Sequence, residues 1–248
     1  MVCDGRSLRV NYVSKDGEWK ESEHPRSENG EFGNKGGGGS TLSRGEEKSQ
    51  GSQSKSGTEH HETIKKLGVE SAERLGYPVS KVTFNPGSSD TVINGRTFKR
   101  AGQAHLGGPR NGEVEIFTNH VTPEQVHGFM AHEIMHQKFE AVDGGNLAFS
   151  SKLWEDPKVK ESLSTEDGVT PYSKMYWDAY DKVKDSKDQF AAFQSFRLAC
   201  HETLAEISKV TNTGGTTVSS QKSGEVAKSW KSTYDKVIAL YDKKKKKK

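Results

Sequence analysis

The chain has 248 residues, of which 30% are hydrophobic and 29% charged, with a formal net charge of +3. That length admits one large or two small domains, but so low an apolar share leaves part of the chain unable to bury a core. Cys3 and Cys200 lie too far apart to suggest a disulfide framework or a paired-cysteine metal knuckle, and Lys243 to Lys248 supply enough of the positive charge that it does not argue for nucleic-acid binding.

Residues 1–27 form a short N-terminal segment with no apolar run of signal-peptide length, and nowhere does the chain hold a continuous apolar stretch long enough to span a membrane. The expectation is a soluble protein of a reducing compartment, not exported by a cleaved signal. Residues 28–58 are rich in glycine, serine, lysine and glutamate and read as a flexible linker. The folded domain is expected over residues 59–242, with residues 243–248 a frayed, solubilising lysine tail.

In "TEHHETIKKLGVESAERLGYP" the spacing of Ile64, Leu67, Ala72 and Leu75 predicts helix closing at Gly76 before Pro78. Val82 and Phe84 mark a strand, and Asn94-Gly95 between two short β-branched runs is a hairpin signal. "EVEIF" follows, with Val114 and Ile116 on one face, before Thr122 and Pro123 open the next helix. Helix, several strands, then helix again point to an α+β fold with a small, mainly antiparallel sheet.

That next helix is expected over residues 123–141. Val126, Met130 and Ile134 form one stripe, and Ala131 and Met135 extend it until the helix is apolar over most of its circumference, which marks it as buried. His132 and His136, four apart, stand one above the other and can point at one ion. Glu133 projects about 100° away round the helix, so its carboxylate can reach a water instead of the metal. This is the HExxH arrangement of a zinc hydrolase, in which the metal acidifies a water and the glutamate takes its proton. The competing reading is a buried helix with two satisfied core histidines. His60 and His61 lie next to the flexible segment, His24 lies in the N-terminal tail, and His105, His120 and His127 have no partner at ligand spacing; all six read as surface or packing residues.

A catalytic zinc site needs a third protein ligand. In "RLACHETLAEISKV", Phe193, Phe196, Cys200, Leu204 and Ile207 form a helix stripe ending near Asn212. Glu202 and Glu206 lie on another side with Ala199 and Ala205, whose small side chains allow close approach of a neighbouring helix. One carboxylate of the pair could bind the metal while the other orients a ligand histidine. His201 and Cys200 read as structural. In the C-terminal stretch, Val226, Trp230, Tyr234, Val237, Ile238 and Tyr241 form an amphipathic stripe that either packs on the domain or docks a partner, packing being the favoured reading.

HEIMH followed downstream by ETLAE resembles the gluzincins, the metallopeptidase group that includes thermolysin and anthrax lethal factor. That resemblance implies a zincin-like fold, Zn2+ as cofactor, Glu202 as third ligand and Glu206 as the residue behind a ligand. In the lethal-factor-like branch a tyrosine before the glutamate helix stabilises the oxyanion, which implies Tyr172 here, with Tyr176 as the alternative. Upstream, "EHPRSENGEFGNKG" resembles a His-Pro-Arg-x-x-x-Gly-x-Phe element of tailed-phage head-morphogenesis proteins. Together the resemblances imply a phage or prophage protein in the bacterial cytoplasm or the virion. Its partner would be a protein or peptide substrate, virion proteins among them, without nucleic acid or membrane. Two functions follow as expectations: a zinc endopeptidase holding an extended substrate beside the "EVEIF" strand, or a non-catalytic assembly protein stapled by zinc.

Overall fold

A computed structural model of the chain describes residues 53–87, 89–93, 96–163, 169–212 and 221–246. The N-terminal segment with its phage-like element, most of the linker, Cys3, His24 and the Asn94-Gly95 turn lie outside the described residues.

Helix α1 spans Gln53–Arg74. Ile64 and Ala72 are fully buried, with Leu67 and Leu75 packed against the same cluster, as the helical spacing predicts. Its start at Gln53 places residues 53–58, read above as the end of the linker, in its first turns. Once the packed part has nucleated a helix, each further residue adds a hydrogen bond at little cost. Gly76, at φ +67, ends it in the left-handed region, and Tyr77 N donates to Ala72 O at 2.8 Å.

The strands are β1 (Val82–Asn85), β2 (Asp90–Ile93), β3 (Arg96–Lys99), β4 (Gly102–His105) and β5 (Glu113–Phe117). β2 and β3 form the expected antiparallel hairpin. The other three make a sheet of order β1-β5-β4, in which β5 runs parallel to β1 and antiparallel to β4. Two of the three pairings are therefore antiparallel, and β5 is the central strand. Gly68 of α1 lets the Phe84 ring of β1 lie against the helix, because a Cβ there would overlap it.

Helix α2 spans Pro123–Asp143, two residues past its expected end, and stops at Gly144 with φ +67. At its start Thr122 N donates to Gln125 Oε1 at 3.1 Å, which supports the expected cap. Val126, Met130 and Ile134 pack with Val114 and Ile116 of β5 in one core cluster. The opposite side of α2 meets the long helix α6 (Gln189–Asn212). Between them lie α3 (Ala148–Glu155), α4 (Pro157–Leu163) and α5 (Pro171–Asp181), none of which the sequence reading drew as elements.

Helix α7 spans Gln221–Lys245, and its Trp230, Tyr234 and Val237 join Phe139, Trp177, Phe196 and Leu204 in a second core cluster. The C-terminal stripe thus packs on the domain. The lysine tail is not wholly frayed. Lys243 to Lys245 continue α7, Lys244 Nζ donates to Ala141 O at 2.8 Å, and Lys245 Nζ donates to Gly76 O at 2.9 Å. Carbonyls at the C-terminal ends of α2 and α1 lack helical donors and carry partial negative charge, and the ammonium groups supply both needs. The architecture is mixed α+β, mostly helical with a small sheet. No helix among the described residues is long and apolar enough to cross a membrane.

Candidate metal centre

The side chains joining α2 and α6 fall in a ladder of opposite sense. Glu206 meets His132, Glu202 meets His132 and His136, and Arg197 meets Glu140 and Asp143. Ascending numbers on one helix pair with descending numbers on the other, so the helices pack antiparallel. Ala199 and Ala205, both fully buried, keep the two backbones close enough for short polar side chains to meet.

His132 Nε2 and His136 Nε2 are 3.2 Å apart, and Glu202 Oε2 lies 3.5 and 3.7 Å from them. One ligand atom from each of His132, His136 and Glu202 falls within 4.8 Å of the others, and all three residues are buried. Glu202 Oε2 has no hydrogen-bond partner. A buried carboxylate oxygen without a donor is costly, and a cation among the three groups would remove that cost. Two imidazole nitrogens and one carboxylate oxygen therefore fit a bound metal ion, and this buried group could hold one.

The surrounding groups set the charges. His132 Nδ1 lies 2.8 Å from Glu206 Oε1, although it has no well-aligned hydrogen-bond partner, so proximity more than alignment makes this contact. Burial opposes a charge on His132, but Glu202 and Glu206 outweigh it and raise its pKa to about 10 in the absence of an ion. Glu206 responds in the other direction. Burial would raise its pKa, yet His132 and Lys209 hold it down at about 2. His136 is pushed by burial down to about 4 and stays neutral, the form that binds metals.

Glu133 is 8% exposed and is not one of the three converging ligands. Burial raises its pKa to about 7, while His132 and the nearby backbone N–H of Ala104 in β4 oppose the shift. Gly102 makes that position possible, since a Cβ there would stand 2.9 Å from both Cγ and Oε1 of Glu133. No periodicity in "GQAH" signals this role for the glycine.

Tyr172 and Tyr176, one turn apart on α5, are both brought to the site. Their hydroxyls are 2.9 Å apart, the Tyr172 ring lies 6.0 Å from that of His132, and Tyr176 lies close enough to Glu202 to feel its charge. Tyr172 remains 41% exposed while Tyr176 is half-buried, so the first faces the opening and the second the ligand. Desolvation at the paired hydroxyls and the Glu202 charge raise both phenol pKa values, keeping them protonated donors, although much of the Tyr172 side chain is exposed.

His60 and His61 bond Thr118, His105 pairs with Glu115, His120 meets Arg100 O and His127 meets Ser71. All five are held by polar contacts away from the three-residue group of His132, His136 and Glu202. Cys200 is buried and unpaired among hydrophobic neighbours. Sequence reasoning set His201 aside as structural, yet its Nδ1 lies 3.3 Å from that of His136. Its place next to Glu202 was the available signal. The chain matches no family model, no curated protein and no solved structure.

Proposed function

We propose that the chain is a zinc-dependent endopeptidase of zincin type, with His132, His136 and Glu202 holding the ion. One observation carries the reading: a buried glutamate, Glu133, stands beside the three ligands without being one of them, and its carboxylate points to the edge of the sheet. A purely structural ion would have no use for it. Two imidazoles and a carboxylate suit zinc among the available divalent ions and leave a coordination position open. When bound, zinc supplies Lewis acidity that brings a water towards a pKa of about 7 and polarises a carbonyl.

The chain's own residues do the rest. Glu133 takes the proton of the attacking water and passes it to the departing amine, and a pKa of about 7 suits both transfers. Tyr172, exposed at the opening, donates a hydrogen bond to the substrate oxygen that gains charge. Tyr176 holds Tyr172 through the paired hydroxyls and steadies Glu202. The expected addition of an extended substrate at the antiparallel strand near "EVEIF" falls on β4 and not on "EVEIF" itself. β5 is paired on both sides, with β1 and β4, and has no free edge. The strand available for addition is β4, whose other edge pairs with no strand among the described residues and whose Ala104 N–H already reaches Glu133.

The test compares wild type with Glu133→Gln on candidate virion proteins, host lysate and the chain's own linker, mapping new termini. The variant is expected to keep its zinc and lose about 10² to 10⁴ in rate. Equal cleavage by both proteins would remove Glu133 from the reaction. Zinc binding with no cleavage of any substrate would favour the stapled assembly protein.

A further inference from the structure

Behind His136 lies a second buried imidazole that the proposed reaction does not use. His201 is 3% exposed, its ring is 21° from parallel to that of His136 at 5.6 Å, and Phe139 meets it edge-on at 4.1 Å. The two Nδ1 atoms are 3.3 Å apart. Ring nitrogens at that distance attract only when one carries a hydrogen and the other a lone pair.

Both ends of the pair decide which is which. To bind an ion beside Glu202, His136 must present a bare Nε2, so its hydrogen sits on Nδ1. At the far end His201 Nε2 lies 3.7 Å from Glu140 Oε2, too far for a hydrogen bond but close enough that a negative oxygen favours an N–H over a second lone pair. Glu140 is in turn held by Arg197 Nη2, and Arg197 Nε donates to Asp143 Oδ2 at 2.8 Å. Asp143 is fixed by Ser150, whose N and Oγ donate to it at 2.8 and 2.7 Å. The anchoring set therefore spans α2, α3 and α6.

We infer that His201 is a positioning residue for the metal site: its Nδ1 accepts the hydrogen of His136 Nδ1, which fixes the tautomer and ring orientation of that ligand. Glu140, Arg197 and Asp143 hold it from behind. The role rests on the zinc reading; the direction of the hydrogen bond rests on it at the His136 end and on the Glu140 carboxylate at the His201 end. The two ligand histidines thus differ. His132 is backed by a carboxylate, Glu206, and His136 by a neutral ring. A second backing carboxylate would have added negative charge and weakened the ion as a Lewis acid.

Long-range 1H–15N NMR on metal-free and zinc-loaded wild type reads the tautomers directly. His201 is expected to carry its hydrogen on Nε2 and a bare Nδ1 in both; a hydrogen on His201 Nδ1 overturns the inference. A protein that takes up no zinc sinks the metal reading, while the metal-free spectrum still decides the hydrogen-bond direction. Chelator competition adds a second readout. His201→Leu is expected to weaken zinc binding about 10- to 100-fold. His201→Asn, which can accept the same hydrogen through Oδ1, is expected to recover most of it. Equal loss in both variants, or loss in neither, overturns the role. If the leucine variant does not fold, the wild-type tautomers alone decide between the two hydrogen-bond directions.

Discussion

Two clusters of histidine and carboxylate lie on opposite sides of β5, and they differ in how completely they are bonded. On the solvent-side face of the sheet, Glu115 accepts from Asn85 at 3.1 Å and Arg110 at 3.0 Å, with His105 Nε2 at 3.1 Å. Between α2 and α6, Glu202 Oε2 has no hydrogen-bond partner, and two Nε2 atoms face it and each other. Both clusters are largely buried and both contain the residue types of a metal site. The sheet cluster closes on itself, so its groups already have what burial demands of them. The helical cluster is short of positive charge at its centre. Completeness of bonding, more than composition, separates a structural polar cluster from a ligand site.

Removing one carboxylate from each cluster breaks the comparison most sharply. Structural zinc sites bind with about 10 to 16 kcal/mol shared over four ligands, so Glu202→Ala is expected to cost about 10² to 10³ in zinc affinity. Its cost to the metal-free fold should be confined to the Tyr176 contact and to one of the two carboxylates that favour charged His132, since Oε2 itself has no hydrogen-bond partner to strand. Glu115→Ala should do the reverse. It strands Asn85, His105 and Arg110 and is expected to lower folding stability by about 2 to 3 kcal/mol while leaving zinc affinity unchanged. Chelator competition and denaturant melts of both variants check this. A Glu202→Ala protein at full zinc affinity would move the third ligand elsewhere.

The clusters should also answer pH with opposite signs. The folded pKa of His132 is raised from its ordinary 6.5 to about 10, burial notwithstanding, by Glu202 and Glu206. The stability it contributes is complete below pH 6.5 and is lost as pH rises through 10, so the metal-free protein is expected to melt lower at pH 10 than at pH 8. Glu115 is lowered from 4.5; burial works against this, but Asn85, Arg110 and His105 prevail. Its contribution is present above pH 4.5 and is lost on acidification. Zinc must displace the His132 proton, so calorimetry in buffers of different ionisation heat should show at least one proton released per zinc at pH 7. Affinity should rise about tenfold per pH unit. No proton release would mean that His132 is not a ligand.

How much of this could be read in advance follows from the range of each interaction. His132, Glu133 and His136 were legible because a single helical turn sets their geometry. Glu202 and Glu206 were legible as an i, i+4 pair; the choice of Glu202 came from a family resemblance alone, and the structure places its Oε2 near both histidines. The open edge of β4 was not legible. "GQAH" has no strand alternation, and which strand is central depends on the parallel pairing of β1 with β5 across thirty residues. The contact of His201 with His136 was not legible for a related reason. The 100° offset of His201 from Glu202 suggested a different environment, but antiparallel packing brings it to the next rung, beside His136 and Glu140. The short helices α3 and α4 carry too few turns for their periodicity to stand out.

The smallest expected effect tests the link between the open cluster and the sheet edge. Gly102 begins β4, and a Cβ there would stand 2.9 Å from Glu133 Cγ and Oε1 and 3.2 Å from Cδ. Gly102→Ala must therefore push the Glu133 side chain aside. The side chain can turn, but it is buried and would move away from the Ala104 N–H. None of the three ligands is touched, so zinc affinity should stay at the wild-type value. Stability should fall by about 1 kcal/mol, the lower end of what a tight methyl costs in a packed site. A general base displaced by a fraction of an ångström should lose about tenfold in kcat, less than the loss expected for Glu133→Gln, because the carboxylate is still present. Under the proposed mechanism the displaced group acts on the water and does not hold the substrate, so KM should change little. Peptidase kinetics with zinc titration on the same preparation check this. Undiminished kcat would detach Glu133 from β4, and lost zinc would place Glu133 among the ligands.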